Sequence, residues 1–372
     1  MNVSAARRIV AASLALLLAR VSCLATPVQR VALVTGASRG IGKGIAVELG
    51  RSGFAVYAVG RSSRSGRKNS QSKERILPPG SDLTVEATAE EITVAGGRGL
   101  ALQCDVGDEA DLERVLARVR EAEGRLDVLV CSAYSTPPGA LRDEFWKQGL
   151  DMWDAVNNIG LRSVYATCCA ATPLMIETAA RGDSTDPSVP PPLICLVSSF
   201  GGKSYTFNVA YGVGKAAVDR LAQDMSVQLR KYGVATTSLY PGLVKTEANL
   251  QMVEDGTWSD ASGGLDLSMG ETPSFSGRAV AALAALPGAA MLGRTGRVEV
   301  VAELADELGF TEADGSRPRS IRSLCYLLPN FVFPTVEKQA GKPVPAWIKD
   351  NVPDLLLPWS VFSSGPPPEP EQ

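Results

Sequence analysis

The chain has 372 residues, of which 45% are hydrophobic and 21% charged, and its formal net charge is −3. This composition is typical of a globular protein with a large core, and the slightly acidic balance argues against a nucleic-acid-binding surface. Because the chain contains no histidine, Ser-His-Asp and Cys-His mechanisms and histidine-ligated metals are excluded, and no metal site is expected.

Residues 1–28 have the character of a targeting or anchor segment outside the fold. Their only charged residues are Arg7, Arg8 and Arg20, and the apolar run 9–19 is shorter than the roughly 20 residues that span a bilayer. A basic start, a short apolar run and the small residue Ala25 are typical of a secretory signal or anchor. They predict location at the endoplasmic reticulum or another secretory-pathway membrane. A transit peptide for an organelle such as a plastid or mitochondrion is the alternative.

From residue 29 to about residue 310, short apolar runs alternate with segments of helical periodicity. Strands are predicted near 30–35, 54–60, 98–106, 125–133, 193–199, 234–242 and at the start of 297–310. Helices are predicted near 41–53, 83–97, 108–124, 150–180 and 208–232, with a short one at the end of 297–310. This alternation predicts a Rossmann-type, doubly wound parallel sheet of about seven strands, in a single α/β domain over 29–310.

Four further segments have their own composition. Two polar stretches, 61–82 and 181–192, are predicted to be loops. Residues 243–275 are rich in Gly, Ser and Thr and are predicted to form a mobile lid over the carboxyl edge of the sheet. Residues 311–372 form a C-terminal extension with a disordered tail. Its apolar stretch 347–362, together with the N-terminal segment, suggests peripheral membrane association.

The stretch TGASRGIG, residues 35–42, joins the first predicted strand to the first predicted helix. Gly36 permits a tight turn, Gly40 lets the backbone approach a pyrophosphate, and Gly42 lets the helix pack closely on the strand. The phosphates would then lie at the positive end of the helix. The cofactor-binding residues predicted in this loop are Gly36, Ser38, Arg39, Gly40, Ile41 and Gly42.

The choice of nicotinamide cofactor depends on the end of the second strand. Sheets that bind NAD usually place an acid there for the ribose hydroxyls, whereas this strand ends in AVGR with no acid nearby. Arg39 and Arg61 could instead bind a 2′-phosphate through charge-assisted hydrogen bonds. NADPH or NADP is therefore favoured over NADH.

Tyr211 and Lys215 lie four residues apart in YGVGKAA, on one face of a predicted helix. The motifs TGASRGIG, CDV, YGVGK and PGLVKTE, in this order, resemble the short-chain dehydrogenase/reductase family over residues 29–310. RLDVLV, MWDAVNNIGLR, FNVAYGVGKAA and SLYPGLVKTE resemble one branch of that family. The resemblance implies that Tyr211 protonates a carbonyl oxygen while Lys215 lowers the pKa of the phenol and holds the nicotinamide ribose.

The resemblance also implies roles for residues at other strand ends. A serine after the fifth strand is expected to hydrogen-bond the substrate oxygen; the family's double serine favours Ser199, and the spacing to Tyr211 favours Ser198. Asp105 and Val106 are expected to flank the adenine. The segment expected to hold the nicotinamide amide comprises Pro241, Gly242, Val244 and Thr246. A homodimer or homotetramer is expected through the helices at 150–180 and 208–232.

Two departures from the family pattern stand out. The fourth strand ends in Cys131-Ser132-Ala133-Tyr134, where the family has NNAG and the branch NNAY, so two bracing amides are lost. Asn157 and Asn158 lie near the position of the family's proton-relay asparagine and Asn158 is the candidate, although the register of the motif can instead place Gly160 there. These departures predict reduced activity.

The function expected from these features is NADPH-dependent reduction of ketones and aldehydes, with lipophilic substrates such as steroids or xenobiotics. Alcohol oxidation or enoyl thioester reduction on the same scaffold is the alternative enzyme reading. A non-catalytic NADPH-binding scaffold is the alternative outside enzymology.

Overall fold

The computed structural model describes residues 28–67, 82–135, 143–181 and 187–362. The targeting segment predicted at 1–28 lies outside these residues except for Val28. The last ten residues of the predicted disordered tail and parts of both polar insertions also lie outside them.

Seven parallel strands form the central sheet. They are β1 (Val31–Thr35), β2 (Ala55–Gly60), β3 (Arg98–Gln103), β4 (Val128–Cys131), β5 (Leu193–Val197), β6 (Ala235–Tyr240) and β7 (Val298–Val300). Their spatial order is β3-β2-β1-β4-β5-β6-β7, which confirms the predicted doubly wound sheet. The winding direction reverses between β1 and β4, where Thr35 pairs with Cys131. Such a switch point leaves the crevice in which α/β sheets bind ligands.

The sheet is buried on both faces, as its apolar strands predict. Along β4, Leu129 packs into the core on one side and Val130 into the core on the other. Alternation with period two places neighbouring side chains on opposite faces, so a strand covered by helices on both sides must be apolar throughout.

Eleven helices accompany the sheet within the described residues. They are α1 (Gly40–Arg51), α2 (Val85–Val94), α3 (Glu109–Glu123), α4 (Phe145–Asn157), α5 (Ser163–Arg181), α6 (Val209–Leu229), α7 (Glu247–Glu254), α8 (Trp258–Ser262), α9 (Pro273–Ala285), α10 (Gly288–Arg294) and α11 (Val301–Leu308). Apolar residues of α3, α5 and α6 cover one face, and those of α1, α9 and α11 the other. The segment expected to be a lid contains α7 and α8.

Neither α9 nor α10 is predicted from the sequence. Helix α9 is composed largely of small residues, with Phe275, Val280 and Leu283 as its only large apolar side chains, so its periodicity is weak. Its position comes from close packing on α1: a Cβ at Gly277 would lie 2.5 Å from the carbonyl oxygen of Gly44. The first polar insertion also differs from a plain loop, because Ser62–Ser63 and Gly66–Arg67 pair as a short antiparallel hairpin.

The C-terminal extension packs against the end of β6 and β7. It contains α12 (Leu324–Leu327), α13 (Phe333–Ala340) and α14 (Ala346–Asp350). Trp359 lies edge-on to Tyr240, with ring centroids 5.7 Å apart, whereas Trp347 is 69% exposed. One of the two tryptophans of the apolar stretch 347–362 is therefore part of the folded body.

The helical segment Phe145–Arg181, which is kinked at Gly149 (φ +69°, ψ −179°), is long and apolar enough to cross a membrane by length and composition. It consists of α4, a π-helical turn at Asn158–Arg162, and α5. Helix α5 places Cys168, Leu174 and Met175 in the core beside the sheet. This packing is that of a core helix in a globular domain.

Candidate functional site at the carboxyl edge of the sheet

The glycine loop between β1 and α1 lies at the switch point and is shaped by close backbone contacts. Gly36 has a φ of +68°, and a Cβ there would lie 2.7 Å from Cα of Ala133. A Cβ at Gly42 would lie 2.4 Å from the carbonyl oxygen of Gly36. Both positions therefore require glycine, because no side chain fits between the loop and its neighbours.

The first amide of α1 already binds an anionic group. Gly40 N donates to Oε2 of Glu247, the first residue of α7, over 2.8 Å. A carboxylate thus occupies the positive end of the helix, where the pyrophosphate of a dinucleotide was predicted. The glycine cradle and this anion-binding amide fit a dinucleotide. The sequence analysis did not identify Glu247, since the motif residue it considered was Thr246.

The residues predicted for the adenosine half line the ends of β2 and β3. Arg39 donates to the Ser62 hydroxyl over 2.9 Å, and the carbonyl oxygen of Arg61 accepts from Gln103. Asp105 is buried and accepts from Gly107 N over 2.9 Å, and Val106 next to it is also buried. The structure therefore brings Arg39 and the turn after β2 together.

Other charged residues surround the turn after β2. Arg64 is held by Asp82 and Glu90. Glu86 of α2 accepts from the Ser63 hydroxyl over 2.5 Å and from Arg64 N over 3.1 Å. An acid thus lies close to this turn, although it is distant from β2 in the sequence.

The start of α6 positions Tyr211 and Lys215. Oδ1 of the capping residue Asn208 accepts from Tyr211 N over 2.9 Å, which anchors the first turn. Lys215, one turn later, is buried and donates from Nζ to the carbonyl oxygen of Val197 over 3.1 Å. The end of β5 therefore holds the ammonium group.

Burial dominates the pKa values of this pair. It raises the pKa of Tyr211 to about 12, opposed by a hydrogen bond with Ser199. It lowers the pKa of Lys215 to about 8, opposed by the charge of Asp219. The net direction for Tyr211 is opposite to the predicted lowering. Burial is the largest cause, and the Lys215 ammonium is directed at Val197 and lies 5.8 Å from the centre of the Tyr211 ring.

The two serines after β5 make different contacts. Ser199 accepts from Gly201 N over 3.0 Å, and a Cβ on Gly201 would lie 3.3 Å from Oγ of Ser199 and 2.4 Å from a ring carbon of Tyr211. Ser198 is buried and donates to the carbonyl oxygen of Lys215 over 3.2 Å. Ser199 therefore lies with Tyr211, and Ser198 ties β5 to α6.

The structure does not bring Asn158 to this cluster. Asn158 is exposed, whereas Asn157 is buried and donates from Nδ2 to the carbonyl oxygen of Ala210 over 3.3 Å. Oδ1 of Asn157 is pressed against Gly214, where a Cβ would lie 2.2 Å away. Gly160, the alternative in register, is buried beneath the ring of Tyr134.

The strand end that lacks the family's two asparagines is braced by a hydroxyl. Thr35 Oγ1 accepts from Ser132 N over 3.2 Å and in turn donates to the carbonyl oxygen of Val130. Cys131 is buried in the same core cluster as Cys168, so it is a packing residue. Backbone amides and a threonine thus make the contacts expected from side-chain amides.

The segment after β6 is held by a buried acid that the sequence analysis missed. Val244 forms a parallel bridge with Glu271. The Glu271 carboxyl accepts from the Ser276 hydroxyl over 2.9 Å, and a Cβ on Gly242 would lie 3.0 Å from its Oε2. Burial raises the pKa of Glu271 to about 8. Thr246 caps α7 by accepting from Asn249 N over 3.2 Å. Contacts with Glu271 therefore fix the position of the Pro241–Thr246 segment at the edge of the sheet.

The chain is similar to known proteins along most of its length. A family model described as short chain dehydrogenase matches residues 30–256. Dehydrogenase/reductase SDR family member 1 of mouse is 38% identical over 307 residues, covering 80% of this chain and 88% of the mouse protein. Its human counterpart is 35% identical, covering 82% and 90%.

Solved structures share the fold. A short chain dehydrogenase from Mycobacterium paratuberculosis bound to NAD has a TM-score of 0.58 and 24% identity, covering 73% of this chain and 96% of its own. A metagenomic short-chain oxidoreductase in complex with NADP has a TM-score of 0.53 and 24% identity, covering 73% and 97%.

Proposed function

Because the chain belongs to the short-chain dehydrogenase/reductase family and is an NAD(P)-dependent oxidoreductase, we propose that it reduces lipophilic ketones and aldehydes with NADPH. The observation that carries the proposal is that Ser199 and Tyr211 lie on either side of Gly201, one helical turn from the buried Lys215. A Cβ on Gly201 would lie 2.4 Å from a ring carbon of Tyr211 and 3.3 Å from Oγ of Ser199. Ala133 lies against Gly36, and the next residue, Tyr134, lies against Tyr211, so this cluster adjoins the glycine loop.

The chain's residues would act on the carbonyl oxygen of the substrate. NADPH supplies the hydride when it is bound. Ser199 donates a hydrogen bond that orients the oxygen, and Tyr211 transfers its phenolic proton as negative charge develops there. The Lys215 ammonium stabilises the phenolate that remains. Burial raises the pKa of Tyr211 to about 12, so the phenol is protonated at neutral pH and can serve as the proton donor.

The preference for NADPH rests on Arg39 and Arg61 at the turn after β2. Their guanidinium groups suit a 2′-phosphate, whereas Glu86 beside the same turn suits ribose hydroxyls. The two structural relatives contain NAD and NADP respectively. We expect NADPH to bind more tightly than NADH, and Arg39→Ala to reduce that difference.

Lipophilic substrates are supported by the aromatic surroundings of the serine turn. Phe200 follows Ser199 directly and packs edge-on against Phe362, with centroids 5.0 Å apart. Trp359 lies 6.3 Å from the same ring. A carbonyl held by Ser199 would thus have aromatic side chains on one flank.

The decisive experiment uses purified protein, both cofactors and a panel of hydrophobic ketones, aldehydes, alcohols and enoyl thioesters. We expect NADPH oxidation with carbonyl compounds, and a loss of kcat on the order of 100-fold or more in Tyr211→Phe. Undiminished turnover in Tyr211→Phe would overturn the mechanism. Turnover of only the enoyl or alcohol substrates would favour the alternative enzymes, and tight NADPH binding without any turnover would favour a scaffold.

We also propose self-association and membrane location. Helices α4 and α6 expose Trp146, Leu150, Trp153 and Val213, which favours a homodimer or homotetramer through this face. Light scattering of the wild type and Leu150→Glu tests this assembly.

Imaging of the full chain and of a chain lacking residues 1–28 tests location at the endoplasmic reticulum. A plastid or mitochondrial signal would overturn that location.

A further inference from the structure

Tyr134, directly after the shortened motif at the end of β4, contacts both members of the Tyr211–Lys215 pair. The Nζ atom of Lys215 lies over its ring, 4.9 Å from the centroid. The Tyr211 ring meets it edge-on, with centroids 5.8 Å apart and planes at 88°. An ammonium at this distance from an aromatic face is attracted by the ring quadrupole, more strongly where water is excluded.

The position of the Tyr134 ring is set by a glycine and an apolar cluster. A Cβ on Gly160, in the π-helical turn, would lie 3.1 Å from two carbon atoms of the ring. The ring also packs on Met152, Val156 and Ala210. Because residue 160 is a glycine and has no side chain, it leaves the space that the Tyr134 ring fills.

Few groups other than this ring face the Lys215 ammonium. Val197 contributes a carbonyl oxygen, Tyr211 a second aromatic ring and Asp219 a negative charge. Asp219 is itself shared with Tyr240 and Lys203. Helix α4 presents the neutral Asn157, Val156 and Met152 on its buried side, and its acids Asp151 and Asp154 are exposed.

We propose that Tyr134 is a positioning residue that keeps Lys215 protonated and in place through its ring face. The inference rests on the proposed function, in which the ammonium stabilises the Tyr211 phenolate. Its role needs the aromatic ring and not the hydroxyl group. Phenylalanine at position 134 should therefore serve as well as tyrosine, and an aliphatic side chain should not.

The test is the pH dependence of kcat/KM for NADPH-dependent reduction. Activity requires the ammonium, so it falls as pH rises through the pKa of Lys215, and removing the ring face moves that fall to lower pH. We expect Tyr134→Leu to shift the alkaline limb down by roughly one pH unit, and Tyr134→Phe to keep the wild-type profile. Val156→Ala, which loosens the same cluster without touching the ammonium, should also keep it.

A shift of equal size in Tyr134→Phe, or no shift in Tyr134→Leu, would overturn the proposal. If Tyr134→Leu does not fold, phenylalanine and trifluorinated phenylalanine at position 134 provide an isosteric pair. Only the fluorinated ring should then shift the profile, and identical profiles would overturn the proposal.

A readout without turnover separates this inference from the proposed function. The pKa of Lys215 can be followed by NMR of isotope-labelled lysine, assigned with Lys215→Arg. A lower pKa in Tyr134→Leu supports the ring's role even if no reductase activity is found, and an unchanged one refutes it. Activity that survives Tyr211→Phe would instead refute the proposed function alone.

Discussion

The turn after β1 and the turn after β5 both leave the same edge of the sheet, yet they build their parts of the site by different means. After β1, the glycine loop presents backbone amides, and side chains are excluded at Gly36 and Gly42. After β5, the hydroxyl of Ser199 and the α6 residues Tyr211 and Lys215 supply the reactive groups. The turn after β1 therefore contributes a backbone surface, and the turn after β5 contributes the functional groups of side chains.

This difference explains how each region can be recognised. A site formed by the backbone needs positions that have no room for a Cβ atom. Such positions are occupied by glycine, so the site can be recognised in the sequence from its glycines. A side-chain site depends on which of two adjacent residues faces the cluster, and Ser198 and Ser199 are identical in composition. Mutations should therefore break the first region through added volume and the second through a removed hydroxyl.

The largest effect is expected for Gly42→Ala. The new Cβ would lie 2.4 Å from the carbonyl oxygen of Gly36, so the loop must move. We expect NADPH affinity, measured by fluorescence titration, to fall by roughly 100-fold or more. Gly293→Ala in α10 is the control, because its Cβ meets open space and should leave binding unchanged. Wild-type affinity in a folded Gly42→Ala protein would contradict a backbone-shaped site.

The next effect distinguishes the two serines. Ser199→Ala should lower kcat by about 100-fold while cofactor binding stays intact, because it loses the hydrogen bond to the reacting oxygen. Ser198→Ala should keep kcat near the wild-type value and lower the free energy of unfolding by about 1 kcal/mol, since its hydroxyl bonds the Lys215 carbonyl. A larger kcat loss in Ser198→Ala would reverse the assignment.

A smaller effect concerns Glu271, a side chain that supports a backbone segment. Its pKa of about 8 in the folded protein lies above the ordinary value of a carboxyl, so the folded state retains a proton that the unfolded state releases. This stabilisation is fully present below about pH 4.5 and is lost as pH rises through 8, with a slope of at most about 1.4 kcal/mol per pH unit.

Glu271→Gln should therefore flatten the pH dependence of the unfolding free energy, measured by urea titration between about pH 5 and 8.5. Glu113→Gln, on the exposed side of α3, should keep the wild-type slope. Equal slopes in the wild type and Glu271→Gln would mean that Glu271 is ionised in the folded protein.

The smallest effect is expected for Glu247→Gln. The Glu247 carboxylate binds Gly40 N, so the cofactor's phosphates must displace it from the end of α1. Removing the charge should tighten NADPH binding about two- to fivefold. Glu254→Gln, at the other end of α7, keeps this contact and should bind as the wild type does. Weaker binding in Glu247→Gln would show that this carboxylate assists the cofactor.

The sequence by itself determined the sheet and the identity of the glycine loop. Apolar runs that alternate with helical periodicity, and glycines at the end of β1, are local patterns. Local patterns can be recognised in the sequence without knowledge of tertiary contacts. The four-residue spacing of Tyr211 and Lys215 likewise placed both on one face of α6.

Only the tertiary structure decided which side chains meet. It placed Ser199 with Tyr211, left Asn158 exposed, and brought Glu247 and Glu271 beneath segments they are not predicted to touch. It also reversed the expected pKa shift of Tyr211, because burial, which is a property of the whole fold, is the largest cause of that shift. Side-chain direction and desolvation arise from contacts between distant segments, which no local pattern encodes.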